Sequence, residues 1–405
     1  MFQQNFGTLY HYELKKIVRR KLLWIALAVC ILAHVAGLMY PLFSTYYADG
    51  ELTASHLQMY TVDRTYREKL SGRKIDDELL REMATAYRKI PSDVEQYTLT
   101  DEYQTYARPY SDIYGIVHNW TGMDRETMMD WNANEASLYA LRRINLERDW
   151  KELHLTETEK TFWANQESRM ERPVTYYYHE AYSAMIDSYL TVGITMLLLI
   201  AVILSGVFSE EHIRRTDQLI LSSAKGKNLA YWAKIFAGGT VSMAFAAILS
   251  LIVAVLSFAI HGTGGFHAAI QLVLHFYSCP LTLGQAYLIM SAVLMITALL
   301  WGVFVMVLSE ILRSNVATLA VSTGLILSGM IVDSISDRFR IISQLWDSLP
   351  MRFLSPWNVF SVRPITLSGH CFTSWQIIPV IYILCSIIIA ILGKRAFQQY
   401  QVSGR

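Results

Sequence analysis

The sequence predicts an all-α membrane protein: six transmembrane helices, with a helical extracellular domain inserted between the first and the second. Three observations carry that prediction. No Asp, Glu, Lys or Arg occurs from Ile235 to Ser309, a run far too long for a buried core helix and therefore membrane-like. Charged residues make up only 17% of the chain, against about 25% in soluble globular proteins. The net charge of +1 conceals a division: residues 45–183 hold 25 acidic and 17 basic residues, and the remainder holds 9 acidic and 18 basic. An acidic, polar stretch set into a basic-rimmed apolar chain marks a soluble insert in a membrane protein.

Residues 1–21 form an amphipathic helix. Phe6, Tyr10, Leu14 and Ile17 share one face, and Lys15, Lys16, Arg19, Arg20 and Lys21 make its end basic. Such a helix is expected to lie in the inner headgroup layer, in contact with membrane lipids. Residues 22–44 hold the first span, with Trp24 and Tyr40 as interface anchors. Its uncharged stretch of 22 residues exceeds the apolar region of a secretory signal, about 7–15 residues, so it is read as a retained span. Val29, before Cys30, is not the small residue a lipoprotein signal requires. His34 lies near the middle of the span, either as a hydrogen-bonded interior residue or as a proton relay.

Residues 45–183 are the extracellular domain. Ile75, Leu79, Met83, Tyr87 and Ile90 recur nearly every turn and stop at Pro91, which predicts a helix. Thr156 to Glu159 reads as a capping box. Few glycines and no alternation of polar and apolar residues argue against a sheet. Tyr and Trp are dense, which suits a small helical core or a surface facing peptide or lipid.

Residues 184–405 carry spans two to six. Met185–Phe208 and Tyr231–Ile260 flank a polar loop at 209–230. The uncharged link that follows, with its apolar run Ala268–Phe276, reads as a short outside helix on or in the bilayer. Gln285–Leu308 and Val316–Val332 are joined by a short inside turn. Residues 334–374 read as a re-entrant outside element, with short helices broken at Pro350 and Pro356, before the last span, Trp375–Leu392. The positive-inside rule puts both termini and residues 209–230 in the cytoplasm. Cys279 and Cys371 lie in outside loops, where a disulfide and two free thiols are both open.

The loop itself is the most informative stretch. Ile213, Thr216 and Ile220 fall on one face of a short helix, Gly226 is a plausible helix stop, and Asn228 a plausible cap for the span that follows. Such a helix is too short to be stable alone in water and needs a docking surface. Glu211, the run Thr216-Asp-Gln-Leu-Ile-Leu-Ser-Ser223, Gly226-Lys227 and Lys234 resemble the cytoplasmic coupling loop of ABC-2 type permeases, the membrane halves of one class of ABC transporter. Arg215 stands where that family commonly has Gly, and Ala224 where it commonly has Pro; both fall at turn positions. The helix at 1–21, the six spans and the re-entrant element extend the resemblance over the membrane part, while the long insert departs from its minimal form.

The resemblance implies that Glu210, Glu211, Thr216, Asp217, Leu219, Ile220, Ser222 and Gly226 couple to an ATPase. It also implies that Glu13, Leu14, Lys15 and Lys16 belong to a connecting helix. The expected partners are two ATPase subunits carrying ATP and Mg, and a second permease, identical or homologous. The expected setting is a bacterial cell membrane, and the expected cargo an exported amphipathic peptide, peptide antibiotic or lipid.

The chain carries no Gly-x-x-x-x-Gly-Lys-Ser/Thr phosphate loop and no His-Glu-x-x-His. His261, His267, His275 and His370 match no tight metal-ligand spacing. The spans hold no carboxylate pair or Ser-Lys arrangement, so ion coupling and intramembrane hydrolysis are not expected. No catalytic residue, cofactor, metal or nucleic-acid partner is therefore assigned to this chain, and energy is expected from a separate ATPase. A second reading makes the extracellular domain a sensor that binds a ligand or partner and signals without transport.

Overall fold

The computed structural model describes residues 2–43, 45–48, 51–91, 96–132, 136–213 and 226–399. It is 77% helical, and five helices are long and apolar enough to cross a membrane: Lys21–Tyr40, Glu180–Glu211, Asn228–His261, Leu283–Leu312 and Ser374–Gln398. Coarsely, this is an all-α chain of multi-pass type. The expected fifth span is the helix Asn315–Ile331, apolar but only 17 residues long, the lower limit for crossing.

In chain order, α1 spans Phe2–Val18 and α2 spans Lys21–Phe43. The insert opens with an antiparallel hairpin, β1 (Thr45–Ala48) and β2 (Glu51–Ser55), which the reading against any sheet missed. Helices follow: α3 (His56–Leu70), α4 (Asp77–Tyr87), α5 (Ser111–Thr121), α6 (Arg125–Asp130), α7 (Leu138–Glu152) and α8 (Glu157–Glu167). Helix α4 is shorter than its apolar periodicity. The Asp76 carboxylate accepts from the Glu78 and Leu79 amides and starts the helix there, so Ile75 and Ile90 are buried from outside it. The Thr156/Glu159 capping box forms as expected and opens α8.

Trp120, Trp163, Tyr87 and Tyr176 are fully buried, so the aromatic density serves mainly as core. That core is shared. Trp120 Nε1 donates to Gln271 O at 3.1 Å, Trp163 Nε1 to Val362 O at 2.6 Å, and Arg142 Nη1 to His275 O at 2.8 Å. The insert is thus keyed into the two loops at its end of the bundle. The apolar link is one of them. Its run Ala268–Phe276 contains only a single 3-10 turn, Ile270–Leu272, and Ala268, Ile270, Leu272, Leu274 and Tyr277 are buried. It is a floor under the insert rather than an interfacial helix. Gln271 fixes its shape by donating to the carbonyls of Tyr277 and Cys279.

The bundle comprises α9 (Glu180–Leu204), α10 (Gly206–Ile213), α11 (Tyr231–His261), α12 (Leu283–Leu312), α13 (Asn315–Ile331) and, after the second loop, α17 (Ser374–Gln399). Helix α12 is central and packs on α9, α11, α13 and α17. Close approach rests on small residues: Gly302 lies under Ser242, and Gly238 under Met306. Trp301 Nε1 donates to Leu197 O at 3.0 Å and Tyr189 OH to Met290 O at 2.9 Å, tying α9 to α12. His34 is a bonded interior residue, its Nδ1 on Cys30 O at 2.7 Å and its Nε2 3.3 Å from Thr195 Oγ1.

The second loop holds α14 (Arg340–Asp347), α15 (Pro350–Phe353), α16 (Pro356–Val359) and a hairpin of β3 (Ile365–Leu367) and β4 (His370–Phe372). Pro350 and Pro356 open helices rather than break them, because proline's missing N–H costs nothing in a first turn. Ser368 and Gly369 both take positive φ at the hairpin tip, as a tight two-residue turn requires. The segment dips toward the bundle. Leu354 packs where a side chain on Gly193 would sit, and Tyr382 OH donates to Ser348 O at 2.6 Å.

Cys279 and Cys371 each stand as a free thiol in this structure. Cys279 is half-buried beside Tyr277, and burial pushes its thiol up to about 11, which keeps it protonated near neutrality. Cys371 faces Thr366 on its own hairpin.

The insert's buried ion pair makes stability pH-dependent. Burial alone would raise the Glu167 carboxyl. The charge and hydrogen bond of Arg142, with smaller help from Ser278 and Arg172, outweigh it and hold the carboxyl below its ordinary 4.5. Its stabilisation is complete above that ordinary value and is lost as pH falls through the lower folded value. The thermal midpoint should therefore drop on acidification below pH 4.5, and Glu167→Gln should flatten that part of the profile. An unchanged profile in Glu167→Gln would show that another group sets the acid limb.

Candidate functional site

Four charged residues meet where α1 crosses the ends of α10 and α11. Lys234, in the first turn of α11, is fully buried, and Glu211 and Glu13 are 7% and 9% exposed. Lys234 Nζ lies 2.6 Å from Glu211 Oε1 and 3.1 Å from Glu13 Oε2. Lys16 Nζ reaches the same Glu211 oxygen at 2.7 Å and lies 3.9 Å from Glu13. Among the described residues, two cations and two carboxylates balance here, which makes so dry a cluster tolerable. The ammonium of Lys234 also lies 5.6 Å from the centre of the Phe208 ring.

The local sequence explains the placement. Glu13 and Lys16 are three residues apart on α1 and so share a face. That face continues through the apolar stripe, and the structure covers the stripe with protein rather than lipid. Ile17 is buried, Phe6 meets Phe236 edge-on at 5.8 Å, and Tyr10 OH lies 2.9 Å from Thr240 Oγ1. The stripe was read rightly from the sequence, and its partner in the structure is α11. Burial alone would pull the Lys16 ammonium down, but the hydrogen bond and charge of Glu211 hold it above the usual lysine value.

A second tier surrounds this cluster. Arg20 Nη2 pairs with Glu210 at 3.2 Å, and Arg20 Nη1 donates to Ile203 O at 3.2 Å. Ser209 N donates to Ser309 Oγ at 3.1 Å, and Ser309 Oγ donates to Ser205 O, which ties α10 to α12. Tyr231 OH donates to Ala390 O at 2.6 Å and carries the connection to α17.

Of the expected site residues, Glu13, Lys16 and Glu211 are brought together, and Glu210 is held by Arg20. Leu14 packs half-buried against the core, while Lys15 is exposed. Thr216, Asp217, Leu219, Ile220 and Ser222 lie outside the described residues. Gly226 begins a π-helical turn, Gly226–Ala230, that runs directly into α11. Asn228 is therefore inside a helical turn rather than capping one. Lys234 is the residue whose role the sequence reading missed. Its signal was available, since it is the last charge before the uncharged run that begins at Ile235.

The arrangement joins α1, α10 and α11 through charge. It is a lock: three helices from distant parts of the chain are held by charge at the point where residues 214–225 leave and return. No family model matches the chain, and no curated protein matches it.

Proposed function

We propose that this chain is the permease subunit of an ABC-2 type exporter, with six spans, both termini in the cytoplasm and residues 45–183 outside a bacterial cell membrane. A separate ATPase, present in two copies and carrying ATP and Mg, drives two such permeases. The cargo is an amphipathic peptide, peptide antibiotic or lipid. The observation that supports this reading best is the lock of Glu13, Lys16, Glu211 and Lys234. A push on α1 or on the loop from 214 to 225 is passed through it to α10 and α11 without slack. The short helix α13 counts as the fifth span, thinning the bilayer locally or leaning on its neighbours.

The test is the loop. Leu219 and Ile220 are assigned the apolar contact with the ATPase, each worth about 1.5–3 kcal/mol if buried. Changing both to Asp should abolish co-purification of the ATPase or its substrate-stimulated turnover, while expression and membrane insertion stay normal. Normal association and turnover in the double variant would overturn the reading.

A second reading, a sensor that signals without transport, has its own support. The insert is keyed by Trp120, Trp163 and Arg142 into both loops that join the spans, so ligand binding there would be felt in the bundle. Transport measured in vesicles with the ATPase present separates the two.

A further inference from the structure

Beside the lock, at the same end of the bundle, lies a cavity of about 320 Å³ between the starts of α2 and α13 and the junction of α9 with α10. Arg20, Lys21, Asn315 and the carboxylate of Glu210 line its polar side, and Leu22, Leu23 and Val202 line its apolar side. We propose that it binds an anionic phospholipid, phosphate against the polar side and upper acyl chains against the apolar side.

Three features favour that occupant. The first is charge. Arg20 is committed to Glu210 and Ile203 O, whereas Lys21 is exposed and, among the described residues, makes no ion pair. The lining therefore keeps one uncompensated cation, suited to a phosphodiester. The second is donor direction. Ser205 Oγ donates to Asn315 Oδ1, which leaves the Asn315 amide NH2 as a donor. The third is continuity. The apolar side runs on into Leu22 and Ile25, 54% and 61% exposed along α2, a track for an acyl chain on a membrane-facing helix. Gly206 keeps the floor open: a Cβ there would come within 2.7 Å of Glu210 Oε1 and 3.3 Å of Arg20 Nη1. The volume suits a headgroup and its glycerol, near the lower end of small-molecule sites. A free phosphate shares the polar chemistry but has no use for the apolar side.

The experiment uses the full chain in detergent micelles, titrated with phosphatidylglycerol, with phosphatidylcholine, or with soluble glycerol 3-phosphate. Thermal midpoint and lipid retained in native mass spectra are read together. Phosphatidylglycerol should raise the midpoint more than phosphatidylcholine and should be retained, and glycerol 3-phosphate should do neither. Lys21→Gln should weaken the phosphatidylglycerol response about fivefold, the share of one basic residue at a charged surface. Val202→Trp, which fills the apolar side, should remove the preference while the midpoint in phosphatidylcholine stays near that of the unmodified chain. If Val202→Trp does not fold, Lys21→Gln decides. Equal responses to the two lipids, an unaltered response in Lys21→Gln, or full stabilisation by glycerol 3-phosphate would each overturn the proposal. None of these outcomes depends on whether an ATPase drives the chain.

Discussion

Lys234→Met should cost about 3–5 kcal/mol of stability, the usual penalty for removing one partner of a buried ion pair. Lys234 is fully buried and shared by two carboxylates, so its loss leaves Glu13 and Glu211 together in a dry site without the ammonium that bridges them. Methionine matches the stem in length, so the packing against Phe208 is kept and the effect is electrostatic. The thermal midpoint in detergent should fall by several degrees. Trypsin should cut faster after Lys15, Lys16 and Arg19 as α1 lifts. The triple change Glu13→Gln, Glu211→Gln, Lys234→Met removes both carboxylates together with the ammonium that bridges them, and should regain most of the loss. A single variant that melts and digests like the unmodified chain would show that the lock does not hold α1.

Arg142→Met should produce the second large effect, about 3 kcal/mol or more. The guanidinium is almost wholly buried, lies 4.8 Å from the Trp120 ring centre, pairs with Glu167 at 3.0 Å and donates to His275 O at 2.8 Å. Removing it leaves a buried carbonyl without that donor and a carboxylate with Arg172 alone from its present pair of arginines. It also cuts one of the side-chain bonds that join the insert to the loops. Tryptophan emission should shift to longer wavelength as the contacts of Trp120 and Trp163 loosen. Arg143→Met is the control. It is exposed and, among the described residues, pairs with Glu147 at the surface, where such pairs are worth about 0–1 kcal/mol. Equal, small effects of the two variants would mean that the insert and the loops are held by apolar packing and not by this arginine.

Much of this was legible in the residues. The uncharged run after Lys234 located the middle of the bundle, because hydropathy is a sum over neighbours in sequence. The Thr156/Glu159 capping box formed as read, because both partners lie within one turn. The face of α1 was right for the same reason. The misreadings share a cause. Hydropathy reports that Ala268–Phe276 avoids water, but lipid and a protein core satisfy it equally, and the insert turned out to supply the cover. The periodicity from Ile75 to Ile90 predicted a helix that forms over Asp77–Tyr87, but at Ile75 and Ile90 it recorded burial beyond the helix ends, and Asp76 decided where the helix began.

By itself, then, the amino-acid sequence determined which segments leave water, that Thr156 caps α8, and where the charge of the chain is divided. Only the tertiary structure decided what each buried group meets. Lys234 and Glu13 are 221 residues apart, and Trp163 and Val362 are 199 apart. The free energy of such a pair depends on a desolvated distance of about 3 Å, a quantity that local composition does not contain and that exists only once the helices between have packed.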